Sequence, residues 1–120
     1  MFSVPSSVYH LASKLDMPIM TVILVNGGWK SPRLSTLLVH PQGIVSQSSG
    51  MDLGVTFGPQ ATRPQYGLIA QASAGGESKC WVASVVSGAP EVESVFKQAV
   101  EAVQGGRSAV VELVLPDLDA

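Results

Sequence analysis

Hydrophobic residues along this chain follow two rhythms. Short continuous runs stand at 19–25 (Ile19-Met20-Thr21-Val22-Ile23-Leu24-Val25), at Trp81 to Val86, and at Ser108 to Leu115 with Val110, Val111, Leu113 and Val114. Runs of this length, rich in β-branched residues, predict strands covered on both faces. The second rhythm is helical. Val8, Leu11, Ala12 and Leu15 recur at that spacing, with Ser3 as a cap, Pro5 in the first turn, and Asp16 and Pro18 ending the helix. After Pro90, residues Val92, Val95, Phe96, Ala99, Val100 and Val103 share one face. Glu91 and Glu93 suit the positive end of that helix, and Gly105-Gly106 stops it.

Two further stretches are less regular. Tyr66 to Ala72 predicts a short helix. In Ser31 to Val39, Leu34, Leu37 and Leu38 have helical spacing, while Val39 and the short length leave an irregular packed segment equally open. His40 to Pro64 is rich in Gly, Ser, Pro and Gln and reads as a long excursion, in which Val55-Thr56-Phe57 is able to pack locally. The order α-β-(loop)-α-β-α-β predicts an α/β fold: a partial open parallel sheet with right-handed crossovers and helices on both faces. No internal repeat is visible.

Composition narrows the function classes. At 120 residues the chain is one domain at most, and 46% hydrophobic against 13% charged residues predicts a packed core over disorder. A net charge of −2 gives no basic patch, which argues against nucleic acid and against an anionic membrane surface as partners. Cys80 is the only cysteine, so no internal disulfide forms and a reducing compartment is the simpler expectation. The longest apolar run falls well short of the roughly 18–20 residues that cross a bilayer. Met1 onward lacks a basic region followed by an apolar stretch, and lacks arginine-rich transit character. A cytoplasmic product is the default expectation, and loss of a targeting signal is compatible with it.

The chemistry gathers where the first apolar run stops abruptly at Asn26-Gly27-Gly28-Trp29-Lys30-Ser31-Pro32. Ligands of open α/β sheets sit at the carboxyl ends of the strands. Two glycines let backbone groups approach a ligand, and Asn26 adds a side-chain oxygen. The plainer reading is a turn, since Asn-Gly-Gly is turn chemistry in its own right. Trp29 either covers a ligand or anchors the loop. Lys30 reads as a solvated lysine, His10 as a surface or interface residue, and His40 as a loop residue. Cys80 borders a strand, reads as buried packing, and has no histidine nearby in sequence to make a nucleophile pair. Glu77, Glu91, Glu93, Glu101 and Glu112 read as surface, loop or helix charges.

The stretch from Val4-Pro5-Ser6-Ser7 through Val25-Asn26-Gly27-Gly28-Trp29-Lys30-Ser31-Pro32 resembles the helix–strand–motif unit of thiamine-diphosphate-dependent enzymes. Gln65-Tyr66-Gly67-Leu68-Ile69-Ala70 is similar to their Asp-Phe/Tyr-x-x-x-Ala segment, and Pro90 to Val103 with Ala109 to Leu115 is similar to their domain ending. The resemblance is to the C-terminal diphosphate-binding domain of the acetolactate synthase, benzoylformate decarboxylase and 2-hydroxyacyl-CoA lyase group. It spans nearly the whole chain, but only the motif around Asn26 is specific. Two departures stand out. Val25 replaces the first Asn of the usual pair, and the Gly-Asp-Gly turn is not in the sequence. That turn is expected about 30 residues before Asn26, just upstream of Met1, which would make the chain the second half of such a domain.

The resemblance implies thiamine diphosphate and Mg²⁺ as cofactors. It implies Asn26 and the backbone carbonyl of Gly28 as metal ligands beside an aspartate of the Gly-Asp-Gly turn. Asn26, Gly27, Gly28 and Trp29 would form the cofactor-binding segment. Neutral oxygen donors suit a Mg²⁺ whose charge is met largely by the diphosphate. The implied parent activity is that of a 2-keto acid lyase or carboligase, in which the cofactor's thiazolium attacks the keto acid. The family's proton-relay glutamate lies in another domain of a partner subunit, so no residue here is assigned a catalytic role. The full-length family implies a homo-oligomer, and the chain alone is expected to be inactive. The alternative is a non-catalytic degenerate paralogue or partial gene product that acts only as a protein-interaction module.

Overall fold

Ser108–Val114, the last strand in the chain (β3), is the middle of a three-stranded sheet. Met20–Val25 (β1) and Cys80–Val86 (β2) pair with it from either side, both parallel to it. The register runs Met20–Ala109 to Val25–Val114 on one side and Cys80–Ser108 to Val86–Val114 on the other. A computed structural model describes residues 6–29, 31–57, 63–86, 88 and 90–115. The helices are α1 (Ser7–Lys14), α2 (Ser31–Val39), α3 (Tyr66–Ala74) and α4 (Glu91–Gln104), with a short 3₁₀ turn at Ile44–Gln47. The three predicted strands and their parallel direction are all present, so the α/β class holds. The Ser3 cap and Pro5 first turn predicted for α1 lie outside the described residues, as does Lys30.

The chain divides into two compact units. One comprises Met1–Val25 and Gln65–Pro116, and the other Asn26–Pro64 and Asp117–Ala120. The first holds the sheet. Side chains alternate across β3, so each face gathers its own cluster. Val110 packs with Tyr9, Ala70, Ala74 and Cys80 under α1 and α3, joined by Ile19, Ile23 and Val82. Ala109 and Val111 pack with Val85, Ala99 and Ala102 under α4, joined by Trp81, Val92, Val95, Phe96, Val103 and Leu113. Val110 and Val111 are both fully buried, which is why this strand reads as a continuous apolar run rather than an alternation. Four of the buried helix residues at these contacts are alanines (Ala70, Ala74, Ala99 and Ala102), and their small size brings the helices close to the sheet.

Two predicted helix faces are shifted. α1 turns Tyr9 and Ala12 inward, not the Val8–Leu11–Ala12–Leu15 set, and Val8, Leu11 and Leu15 are exposed. Tyr9 decides the rotation. Its ring is fully buried and its hydroxyl donates to Thr21 Oγ1 of β1 at 2.8 Å, so burying the large aromatic outweighs burying three aliphatic side chains. Desolvation pushes the Tyr9 phenol above its ordinary pKa, and the Thr21 hydrogen bond partly offsets this. On α4, Ala102 replaces Val100 in the buried set, and Val100 is exposed.

α1 ends where predicted, and by a defined device. Asp16 takes a left-handed conformation, φ 51°, and the Met17 N–H donates back to the Ala12 carbonyl at 2.9 Å. This is the helix-ending geometry that glycine adopts most easily. Asp16→Gly is therefore expected to stabilise the sheet-bearing unit by about 0.5–1 kcal/mol, since the relieved strain exceeds the added chain entropy. A urea midpoint at or below that of the parent chain would contradict this.

The excursion from His40 contains more structure than a loop. In its own unit, α2 is a helix over the segment that the spacing left open, yet it buries no residue. Arg33 of α2 donates to the Ser48 carbonyl at 3.2 Å. The Ser49 backbone N–H and hydroxyl both donate to Asp52 Oδ2, at 3.0 and 2.7 Å, which holds the Asp52 carboxyl below its ordinary pKa. Val55-Thr56-Phe57 does pack locally, as the sequence allowed, and its partner is the Asn26–Trp29 segment.

Candidate functional site

Asn26 directly follows the carboxyl end of β1, and the chain then turns through two residues at positive φ, Gly27 at 84° and Gly28 at 154°. Gly28 forms an isolated antiparallel bridge with Thr56. Phe57 N–H donates to the Gly27 carbonyl at 2.9 Å, and Trp29 N–H donates to the Val55 carbonyl at 2.7 Å. These two bonds flank Gly28, so Gly28 is the non-hydrogen-bonded member of the bridge. Its own N–H and carbonyl point away from Val55–Phe57. The N–H does so toward Asn26 Oδ1, at a long 3.4 Å.

The second glycine has a local reason. A Cβ at Gly28 would run into the Val55 carbonyl and the Thr56 backbone, on a φ that side chains rarely adopt. The close backbone approach expected of this glycine is thus made by the chain itself, at Val55 and Thr56. What remains open to a ligand is the other side of the loop, where the exposed Asn26 side chain and the Gly28 carbonyl lie. Trp29 is 64% exposed, so its ring does not anchor the loop by burial.

Other sequence candidates fall elsewhere. His10 and His40 are exposed, as expected. Cys80 is fully buried, and desolvation pushes its thiol up to about 11, with Arg107 pulling weakly the other way. That is the environment of an inert packing cysteine. Among the described residues no three His, Cys, Asp or Glu side chains stand together as a metal group. Among them, too, no helix is long and apolar enough to cross a membrane. An open hollow of about 310 Å³ is lined by Trp81, Gln98, Glu101 and Arg107. It lies at the amino ends of β2 and β3, opposite to where open α/β sheets take ligands.

One polar residue was misread. Glu112 is not a surface charge: it is 5% exposed, on β3 between Ile23 of β1 and Ser84 of β2. Its Oε1 accepts the Gly67 backbone N–H at 2.7 Å. Gly67 stands in the first turn of α3, where N–H groups have no partner within the helix, so a strand carboxylate serves as the cap. Gly67 itself leaves no room for a side chain, because a Cβ there would collide with Val82 Cγ1. The signal was present in the sequence. A lone Glu inside a run that predicts burial on both faces has no solvent to reach.

Comparison with protein-family models, curated proteins and solved structures returns no match.

Proposed function

We propose that the Asn26–Trp29 loop binds a Mg²⁺-bound diphosphate, that of thiamine diphosphate, as part of a 2-keto acid lyase or carboligase of acetolactate synthase type. The observation that supports this reading is the shared side of the loop on which the Asn26 side-chain oxygen and the Gly28 carbonyl lie. Both are hard, neutral oxygens, suited to Mg²⁺ that arrives with phosphate oxygens in its own shell. The donor set is incomplete for a free metal ion, since the described residues add no carboxylate cluster. Affinity must then rest on the diphosphate. When bound, the cofactor supplies the carbanion chemistry, while these residues hold metal and diphosphate in place. Trp29, exposed and next along the chain from Gly28, would lie in the same cofactor-binding segment.

The test is an NMR titration of the chain with thiamine diphosphate and Mg²⁺ together. The amides of Asn26 to Trp29 and the Trp29 indole should shift, with a Kd on the order of millimolar. Neither component alone should produce the pattern. Asn26→Ala should weaken binding about tenfold, on the order of 1.4 kcal/mol, by removing one ligand. In a longer chain carrying a Gly-Asp-Gly turn and the second domain, the same substitution should weaken a much tighter complex. Absence of any Mg²⁺-dependent shift at the loop would sink the proposal. It would leave the alternative, a non-catalytic interaction module.

A further inference from the structure

We propose that Asn26 is a site of spontaneous covalent modification: its side chain condenses with the Gly27 backbone nitrogen, loses ammonia, and leaves isoaspartate or aspartate at the head of the loop. The inference rests on the loop's own chemistry and needs no bound diphosphate.

Water is the only co-reactant. The Gly27 nitrogen, having given its proton to solvent base, attacks Asn26 Cγ. The new N–Cγ bond closes a five-membered succinimide. The Cγ–Nδ2 bond breaks, and Nδ2 takes up a proton and leaves as ammonia. Water then opens the ring. Opening at Cγ gives aspartate on the original backbone. Opening at the Asn26 backbone carbonyl carbon gives isoaspartate, whose chain runs through Cβ and Cγ and is longer by one carbon. Nothing is oxidised or reduced.

The loop supplies what each step needs. The Asn26 side chain is exposed, so base and water reach Cγ. The next residue is Gly27, with no Cβ to keep its nitrogen from Cγ. Among the described residues the Gly27 N–H has no acceptor, so the nitrogen breaks no hydrogen bond before it attacks. The Gly28 N–H is directed at Asn26 Oδ1, at 3.4 Å. Negative charge builds on Oδ1 when Cγ becomes tetrahedral, and a donor already aimed there lowers the cost of that charge.

The two products act differently on the loop. Phe57 N–H to the Gly27 carbonyl and Trp29 N–H to the Val55 carbonyl hold the loop to Val55–Phe57. The fit is tight, since not even a Cβ is accommodated at Gly28. An extra backbone carbon before Gly27 therefore moves the Gly27 carbonyl and Gly28 out of register with Phe57 and Thr56. Isoaspartate unties the loop, whereas aspartate keeps it tied and adds one negative charge.

Asn26 is the only asparagine in the chain, so the readout is unambiguous. During incubation in mildly alkaline buffer, the full chain should release one ammonia per molecule. The matching mass change should map to the peptide that contains residue 26, while Gln42-Gly43 and Gln104-Gly105, which would need a six-membered ring, stay unchanged. Carboxyl methylation specific for isoaspartyl residues should label the same peptide. Asn26→Gln should abolish the release. The rate in the folded chain should match that in the same chain unfolded in guanidinium, a comparison that depends on no variant. As isoaspartate accumulates, hydrogen exchange should show the Trp29 and Phe57 amides losing protection while Val110 and Val111 keep theirs. A folded chain that reacts more than about tenfold more slowly than the unfolded one would overturn the proposal. So would release that persists in Asn26→Gln, or isoaspartate that leaves Trp29 and Phe57 protected.

Discussion

Replacing Glu112 by alanine is expected to destabilise the sheet-bearing unit by about 3 kcal/mol, while Glu112→Gln costs only about 1. The alanine removes the acceptor of the Gly67 N–H and leaves that donor buried in the first turn of α3. It also empties space beside Val82 and Gly67. Glutamine keeps an acceptor oxygen of the same reach for the Gly67 N–H and loses the charge that faces the positive end of α3. Urea unfolding separates the two through their midpoints, and exchange at the Gly67 amide reports the cap directly. Equal effects of the two substitutions would show that the carboxylate, not its acceptor oxygen, is what the site needs. A negligible effect of Glu112→Ala would show that the cap is dispensable.

Gly67→Ala is expected to cost about 2 kcal/mol, although alanine is the better helix residue by about 1 kcal/mol. The new methyl would overlap Val82 Cγ1, and Val82 cannot swing away, because its β-branched side chain is held in a strand and packed against the core. α3 must therefore shift outward, which lengthens the Gly67–Glu112 hydrogen bond. The two positions should be coupled. In the Glu112→Ala background, Gly67→Ala should cost less than it does alone, because α3 is already released from β3. Strict additivity in the double variant would contradict this coupling. The site thus turns on a glycine whose smallness is required by a neighbour rather than by a turn.

How far the sequence carried the reading depends on where each residue's reason lies. Strands were legible because burial on both faces leaves a continuous apolar signature, as at Val110-Val111. α4 was legible because a long helix repeats its pattern often enough to fix its face to within one residue. α1 was misread in rotation because eight residues give barely two turns, and one buried tyrosine outweighed the aliphatic count. Glu112 was misread because its partner lies 45 residues away along the chain, and no local pattern names it. Gly28 was read as making room for a ligand, whereas the nearest demand comes from Val55 and Thr56, supplied by a distant segment of the excursion. At Asn26 the sequence placed an oxygen after a strand end, and the structure adds the direction in which the loop's free side looks.

The placement of β3 bears on how the chain folds as it is made. β1 and β2 never touch each other, and each depends on the strand synthesised after both. On the ribosome, β1 and β2 are both made before the strand of this sheet that joins them. Every pairing of the sheet is long-range, so loop closure must come before any ladder stabilises it, a topology that folds slowly and late. Until Ser108–Val114 clears the exit tunnel, Met20–Val25 lacks the strand it pairs with in this sheet. Strand order, not composition, therefore decides when this sheet is completed: both outer strands wait for the one made last of the three.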